Sequence, residues 1–154
     1  MLIFAYGSNM DWNQMRERCS SSRFVGIAVL RGHKLAFTRK SVNRCCGVAD
    51  VVAEDGAQVW GVVYEISDLD VGRLDASEGF RPGRDKNPYY RRECLVFLDG
   101  EDQRPLTVSA YFGDPQPNPP LPNAEYKNLI LAGAKHWHLP EDYIRELEQI
   151  EVSG

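Results

Sequence analysis

Seven short runs of apolar residues occupy the first three quarters of the chain, each bounded by glycine, aspartate or other polar turn residues. They are LIFAY, RFVGIAVLRG, HKLAFTR, GVADVV, QVWGVVYEI, YYRRECLVFL and LTVSAYF. Runs of this length, rich in Val, Ile, Phe and Tyr, are typical of β-strands. The pattern therefore predicts strands from residue 2 to residue 112.

Four other stretches carry helix end signals or apolar residues at helical spacing. DWNQMRERC opens on Asp11 as an N-cap, and SDLDVGRLDASEG runs from the N-cap Ser67 to the terminator Gly79. AEYKNLILAGAKHW follows Asn123 as its cap, and LPEDYIRELEQI has Pro140 near its first turn. Because strands come first and most helices last, the order predicts an α+β fold with a mixed, mostly antiparallel and curled sheet.

The length of 154 residues and an apolar content of 43% fit one domain spanning residues 1–154. Neither an internal repeat nor a linker is visible in the pattern. The proline-rich segment GDPQPNPPLPN, residues 113–123, predicts an extended surface connection. Recognition of its PxxP pattern by a partner protein is the alternative.

The charge pattern narrows the class of ligand. Acidic and basic residues number 22 and 18, are mixed along the chain, and leave a formal charge of -4. This balance gives no footprint for nucleic acid or for an anionic membrane, so a small-molecule substrate is expected. The first residues lack a charged segment followed by a long apolar one, which predicts a cytoplasmic protein. The oligomeric state stays open.

Cysteine and histidine spacing gives no metal signature. The four cysteines are Cys19, Cys45, Cys46 and Cys94. They show neither C-x-x-C nor metal-ligand spacing, which predicts reduced thiols. His136 and His138 stand two apart, so on a helix they point in different directions. We therefore predict no metal ion.

The stretch FAYGSN ends an apolar run abruptly at Gly7, Ser8 and Asn9. This turn is not a dinucleotide fingerprint, since G-x-G-x-x-G is absent. It predicts a short nest of backbone N–H groups for a carboxylate or phosphate, aided by the positive end of the helix that begins after Asp11.

Glu78 stands at the C-terminal end of the predicted second helix, next to Gly79. The negative helix end and the charge of Asp75, one turn earlier, both favour the protonated carboxyl and raise the pKa of Glu78. A carboxyl group tuned in this way suits general acid and base catalysis near neutral pH. The alternative is that Glu78 is a solvated residue at a helix end.

Three segments together resemble the γ-glutamylcyclotransferase-like family over nearly the full chain. They are YGSN at residues 6–9, WGVVYEI followed by LDASEGF, and EYKNLILAGAKHWHLPEDY. The resemblance implies a small mixed, mostly antiparallel β-barrel with flanking helices. It also implies a cofactor-independent enzyme that cyclises a γ-glutamyl group to 5-oxoproline.

The resemblance assigns Glu78 as the catalytic residue. The residues that it implies for substrate binding are Tyr6, Gly7, Ser8, Asn9, Met10, Tyr89 and Tyr126. Tyr90 adjoins Tyr89 and is the alternative at that position, although the distance to Glu93 within YYRRE favours Tyr89.

The reaction itself explains the motifs. The α-amine of a γ-glutamyl amide can attack its own γ-carbonyl, so the protein needs to supply orientation, oxyanion stabilisation and proton transfer. One carboxyl group can perform both proton transfers, which requires neither a nucleophilic side chain nor a cofactor.

Three functions remain open at this point. The first is a γ-glutamyl cyclotransferase acting on a γ-glutamyl amino acid or peptide, and the second acts on γ-glutamylamines such as γ-glutamyl-ε-lysine. The third, a non-catalytic module that binds a small anion, is disfavoured by Glu78. The first is favoured weakly by basic residues that follow Glu78 and suit a second carboxylate. They are Arg81, Arg84, Lys86, Arg91 and Arg92.

Overall fold

The computed structural model describes residues 1–153 and contains five strands where seven apolar runs were predicted. They are β1 (Leu2–Ala5), β2 (Arg23–Ser41), β3 (Cys46–Glu65), β4 (Tyr89–Leu98) and β5 (Pro105–Gly113). Two pairs of runs merge, giving β2 and β3. Gly32 lies at a register shift in β2 and has a φ of 72°, so this turn signal marks a bend within one strand.

The five strands close into a barrel in the order β1, β3, β2, β4, β5. All neighbours pair antiparallel except β1 and β5, which run parallel and pair at Ile3 and Ser109. The predicted mixed, mostly antiparallel barrel is therefore confirmed.

The helices confirm the predicted end signals. They are α1 (Trp12–Arg18), α2 (Asp68–Glu78), α3 (Ala124–His136) and α4 (Glu141–Glu148). Asp11 and Ser67 accept hydrogen bonds from the backbone of their own first turns, as N-caps do. Gly79 ends α2 in the left-handed conformation, with a φ of 73°. No helix within residues 1–153 has the length and apolar character needed to cross a membrane.

Helix α3 supports the turn that follows β1. A Cβ built on Gly133 would lie 2.3 Å from the carbonyl carbon of Met10, so only glycine allows this approach. Trp137 Nε1 donates to the carbonyl of Met10 at 3.0 Å, and the Tyr64 hydroxyl donates to the carbonyl of Asn9 at 3.0 Å. Hydrogen bonds from Trp137 and Tyr64 therefore fix the backbone of the turn against the core.

The proline-rich segment is a surface connection, as predicted. Residues 114–121 are exposed and run along the ends of β2 and β3. Gln116 N–H donates to the carbonyl of Thr38, and Gly47 N–H donates to that of Leu121. The segment therefore buttresses one end of the barrel.

Candidate active site

A cavity of about 480 Å³ opens at one end of the barrel. Its lining includes the turn after β1, the last residues of α2, four tyrosines, Arg18 at the end of α1, and the hairpin that joins β2 to β3. Each strand contributes residues from the same end, because β1, β2 and β5 finish there while β3 and β4 begin there. Closing the barrel is therefore what assembles the site.

Glu78 projects into this cavity from the last residue of α2, with 18% of its side chain exposed. Its Oε1 accepts a hydrogen bond from Asn9 Nδ2 at 3.1 Å. Burial raises the pKa of Glu78, while the Arg18 cation and the Asn9 hydrogen bond oppose the shift. The carboxyl group is thus placed and tuned for proton transfer.

Asp75 raises the pKa of Glu78 less than the sequence suggested. Its carboxylate accepts from the Tyr111 hydroxyl at 2.6 Å and from Arg91 Nε at 3.0 Å. The predicted upward direction of the Glu78 pKa is confirmed, but burial is its largest cause and the charge of Asp75 contributes less.

Asn9 connects the turn to Glu78. Its Oδ1 accepts from Gln14 Nε2 and from Arg18 Nη1, both at 3.0 Å, so its Nδ2 is directed at Glu78. Gln14 Nε2 also donates to Ser8 Oγ at 2.8 Å. Both polar side chains of the turn are therefore fixed by α1.

The turn itself is a single 3-10 turn, Ser8–Met10, closed by a hydrogen bond from Met10 N–H to the carbonyl of Gly7. Within residues 1–153, the backbone N–H groups of Ser8 and Asn9 have no acceptor. Asp11 caps α1 by accepting from Gln14 N–H with its side chain, and the first residues of the helix, Trp12 and Asn13, do not line the cavity. The N–H groups of Ser8 and Asn9, which line the cavity, are therefore the ones placed to meet a ligand there.

Gly7 has a φ of -113°, which residues other than glycine also adopt. A Cβ at this position would lie 3.2 Å from Ala49 Cβ and 3.4 Å from the Tyr126 hydroxyl. The absence of a side chain therefore keeps the cavity open between the turn and Tyr126.

The cavity tyrosines differ in whether their hydroxyl protons are already donated in a hydrogen bond within the protein. Tyr6 donates to the carbonyl of Tyr111 at 2.5 Å, and Tyr89 donates to the carbonyl of Ala49 at 2.6 Å. The Tyr126 hydroxyl instead accepts from Ala49 N–H at 3.0 Å. No acceptor for its proton exists within residues 1–153, so Tyr126 has a proton to donate to a ligand.

Burial raises the pKa of Tyr126 to about 12, which keeps its hydroxyl protonated at neutral pH. Tyr111 donates to Asp75 and has no proton left for the cavity. Of the four cavity tyrosines, Tyr126 is the one suited to stabilise a developing negative charge on oxygen.

Comparison with known proteins agrees with this geometry. The family model "Gamma-glutamyl cyclotransferase, AIG2-like" matches residues 3–139. The chain belongs to this γ-glutamyl cyclotransferase family. Curated γ-glutamylcyclotransferases of Homo sapiens and Bos taurus are each 31% identical over 154 residues, covering 97% of this chain and 78% of the relative.

Solved structures agree as well. One named γ-glutamyl cyclotransferase superposes with a TM-score of 0.89 at 30% identity, over 99% of this chain and 89% of that chain. An uncharacterized protein from Homo sapiens gives a TM-score of 0.87 at 30% identity, over 99% and 88%. A yeast γ-glutamyl cyclotransferase specific to glutathione has the same fold at 14% identity and a TM-score of 0.64, over 96% and 93%.

Two residues predicted to bind substrate in this cyclotransferase-family chain, Tyr89 and Met10, differ in their position relative to the cavity. Tyr89 is buried and lines the cavity, whereas Tyr90 lies outside it and donates to the carbonyl of Asp85. Met10 was predicted to bind substrate, but its side chain is fully buried in the core and lies outside the cavity lining. Its N–H group is occupied by Gly7, so Met10 supports the turn from within.

The predicted basic segment does not reach the cavity. The loop between α2 and β4 folds around Asn87, whose side-chain oxygen accepts from Arg81 N–H and from Arg84 Nε. Gly79 and Pro88, at the two ends of the loop, are in contact, since a Cβ on Gly79 would lie 2.6 Å from the Pro88 ring. None of the five basic residues lines the cavity, and Arg91 is bonded to Asp75.

Other cations line the cavity instead, and sequence reasoning missed them. They are Arg18, Arg39, Lys40 and Arg44. Arg18 ends α1, and the other three flank the β2–β3 hairpin. Their one sequence signal is the clustering of three cations in RKSVNR, residues 39–44, which indicates a basic turn without showing what it faces.

No group of three or more His, Cys, Asp or Glu side chains within residues 1–153 is arranged to hold a metal ion. The four cysteines of the chain are free thiols. The absence of a metal and of a cofactor stays a prediction.

Proposed function

We propose that this protein is a γ-glutamyl cyclotransferase that converts a γ-glutamyl amino acid or peptide to 5-oxoproline and a free amine. The observation that carries the proposal is the carboxyl group of Glu78 at the cavity wall, bonded to Asn9 of the turn after β1. Family membership and the likeness to curated γ-glutamylcyclotransferases support the same reaction.

Glu78 transfers the protons in this proposal. The α-nitrogen of the substrate starts as an ammonium and ends as a lactam N–H, so it gives up two protons. The leaving nitrogen starts as an amide N–H and ends as an ammonium, so it gains two. Glu78 accepts each proton in turn and returns it to the leaving nitrogen, which balances the reaction without another acid or base.

The bonds change in the same order. The deprotonated α-nitrogen attacks the γ-carbonyl carbon and forms the fifth bond of the ring. The carbonyl oxygen becomes an oxyanion, and the bond to the leaving nitrogen breaks when the carbonyl re-forms. Tyr126 donates its free hydroxyl proton in a hydrogen bond to that oxyanion. This bond strengthens as charge develops, so it accelerates the reaction.

The turn after β1 holds the glutamyl moiety. The N–H groups of Ser8 and Asn9 face the α-carboxylate of the substrate, and Gly7 leaves the space that the carbon chain occupies. Tyr6 and Tyr89 form walls whose hydroxyl protons are held by backbone carbonyls. Such walls orient the α-amine towards the γ-carbonyl and favour ring closure.

The proposal is tested by incubating the protein with γ-glutamyl-alanine and measuring 5-oxoproline by mass spectrometry. Release of 5-oxoproline with equimolar alanine is expected. Release of glutamate instead would indicate hydrolysis, and no release from any γ-glutamyl compound would leave only a binding function. A cytoplasmic location and a single domain over residues 1–154 stay predictions from the sequence.

A further inference from the structure

Three cations at the cavity mouth have no carboxylate partner. They are Arg39, Lys40 and Arg44, and none of them takes part in an ion pair within residues 1–153. The one carboxylate in the cavity lining, that of Glu78, lies near Arg18 at 3.7 Å. The mouth therefore has an excess of positive charge, although the whole chain has a formal charge of -4.

Arg39 is held in place by neutral groups. Its Nη1 donates to the carbonyl of Asp114 at 2.6 Å, so four of its five N–H groups remain available. A β-bulge precedes it, with Thr38 as the extra residue between Phe37 and Arg39. Thr38 is buried and its hydroxyl donates to Asp50 at 2.8 Å. The bulge fixes the direction of Arg39 at the cavity mouth.

Arg44 is fixed from the opposite side of the hairpin. Its Nη2 donates to Gln14 Oε1 at 2.7 Å, and its guanidinium lies 5.0 Å from the centre of the Tyr126 ring. Lys40 is exposed and its side chain is flexible, so it adds positive charge to the cavity mouth without fixing the position of a ligand. Two half-buried guanidinium groups, each bonded to a single neutral oxygen, thus flank the cavity mouth.

We infer that Arg39 and Arg44 form a subsite for the carboxylate of the leaving amino acid. This inference rests on the proposed cyclotransferase activity. A γ-glutamyl α-amino acid carries two carboxylates and one ammonium. The turn after β1 faces the glutamyl carboxylate, which leaves the second carboxylate for the mouth. Guanidinium groups suit it because their paired N–H groups match the two carboxylate oxygens.

The subsite gives the protein a preference among substrates of the same chemistry. γ-Glutamylethylamide differs from γ-glutamyl-alanine only in lacking this carboxylate, so the two compounds form a matched pair. Wild-type protein should favour γ-glutamyl-alanine in kcat/KM by about tenfold to a hundredfold, which is the usual effect of charge-assisted hydrogen bonds in a partly desolvated site. γ-Glutamylamines then become the poorer substrates.

The test measures the ratio of kcat/KM for the two compounds in wild type, Arg39→Gln, Arg39→Lys and Arg81→Gln. The ratio should fall at least fivefold in Arg39→Gln. It should recover in part in Arg39→Lys, because lysine keeps the positive charge but lacks the paired N–H groups of the guanidinium. Arg81→Gln is the control, since Arg81 lies in the basic loop outside the cavity. It should retain the wild-type ratio.

The outcomes separate this inference from the proposed function. An absence of 5-oxoproline from both compounds in wild type would reject the cyclotransferase activity, and the subsite with it. Release from both compounds with a ratio near one would keep the activity and overturn the subsite. An equal fall for both compounds in Arg39→Gln would also overturn it, because Arg39 would then act only on the structure.

Discussion

The Nη1 atom of Arg18 lies 3.7 Å from Oε1 of Glu78 and donates to Asn9 at 3.0 Å. Its positive charge favours the ionised carboxylate and opposes the effect of burial on the Glu78 pKa. A base accepts protons only when it is ionised. In the proposed reaction, Arg18 therefore extends to lower pH the range in which Glu78 can act as a base.

Arg18→Gln tests this relationship through the pH dependence of kcat/KM. Without the cation the pKa of Glu78 rises, so the acid limb of the profile should move to higher pH and the loss of rate should be larger at pH 6 than at pH 8. Arg16→Gln, on the exposed side of α1, is the control and should leave the limb in place. If the acid limb of the profile does not move in Arg18→Gln, a group other than Glu78 sets the pH at which activity is lost.

Glu78→Gln keeps the size of the side chain and its hydrogen bond from Asn9 but removes proton transfer. We expect kcat to fall by about a hundredfold to ten-thousandfold, measured as 5-oxoproline release. Glu93→Gln, at an exposed position on β4, should retain wild-type turnover. Wild-type turnover in Glu78→Gln would remove Glu78 from the mechanism.

The same variant has an expected effect on stability. Because the folded protein raises the pKa of Glu78, the stability due to this group is present below its unfolded pKa and is lost as pH rises through the folded pKa. Glutamine at position 78 stays neutral at every pH, so the Glu78→Gln variant does not bury an ionised carboxylate at pH 8. The Tm of Glu78→Gln should therefore equal or exceed that of wild type at pH 8, and the difference should shrink towards pH 4 in calorimetry. A lower Tm at pH 8 would indicate that Arg18 and Asn9 outweigh burial.

Tyr126→Phe and Tyr89→Phe form a matched pair, because each leaves one backbone group of Ala49 without its partner. Each should lower the free energy of unfolding by about 1 to 3 kcal/mol. Only Tyr126 has a proton for the oxyanion, so Tyr126→Phe should lower kcat about a hundredfold or more while Tyr89→Phe lowers it much less. Chemical denaturation and 5-oxoproline release check the two effects. Equal losses of kcat would assign both tyrosines a structural role.

Gly7→Ala places a methyl group in the cavity, 3.2 Å from Ala49 Cβ and 3.4 Å from the Tyr126 hydroxyl. Since the φ of Gly7 is accessible to alanine, the Tm should change by only a few degrees. The affinity for 5-oxoproline, measured by calorimetric titration, should fall at least about tenfold.

Gly72→Ala serves as the control for Gly7→Ala. Gly72 lies in α2, and a Cβ built on it would have nothing within 4 Å, so alanine should stabilise the helix by about 0.5 to 1 kcal/mol without changing the affinity. Retained affinity together with a large drop in Tm for Gly7→Ala would show that Gly7 serves the turn alone.

Features set by neighbouring residues were predictable from the sequence. The caps Asp11, Ser67 and Asn123 each accept from the backbone N–H three residues ahead, which is a local property of the chain. The turn at Gly7 and the helix end at Gly79 are local in the same sense. The upward direction of the Glu78 pKa was also predicted, but its largest cause is burial in the cavity, which the neighbouring residues in the sequence do not show.

Features that depend on barrel closure were not predictable. The sequence predicts a turn at Gly32, but the ladder between β2 and β3 continues past this residue and makes it a bend. Arg39 and Arg44 enter the cavity because the hairpin of β2 and β3 closes over the turn after β1, about 30 residues earlier in the chain. The sequence places the charge of Asp75 one turn before Glu78, but it does not show that Tyr111 and Arg91 bind this carboxylate from β5 and β4.

The contact between Gly79 and Pro88 separates the loop that they enclose from the chemistry on either side of it. Residues 80–87 leave and return at nearly the same point, and Asn87 satisfies the backbone of the loop from inside. Glu78 and Tyr89 are anchored independently, one by α2 and the other by β4. The loop is therefore a place where the sequence can be exchanged, the chain lengthened or a probe attached while Glu78 and Tyr89 keep their positions in the cavity.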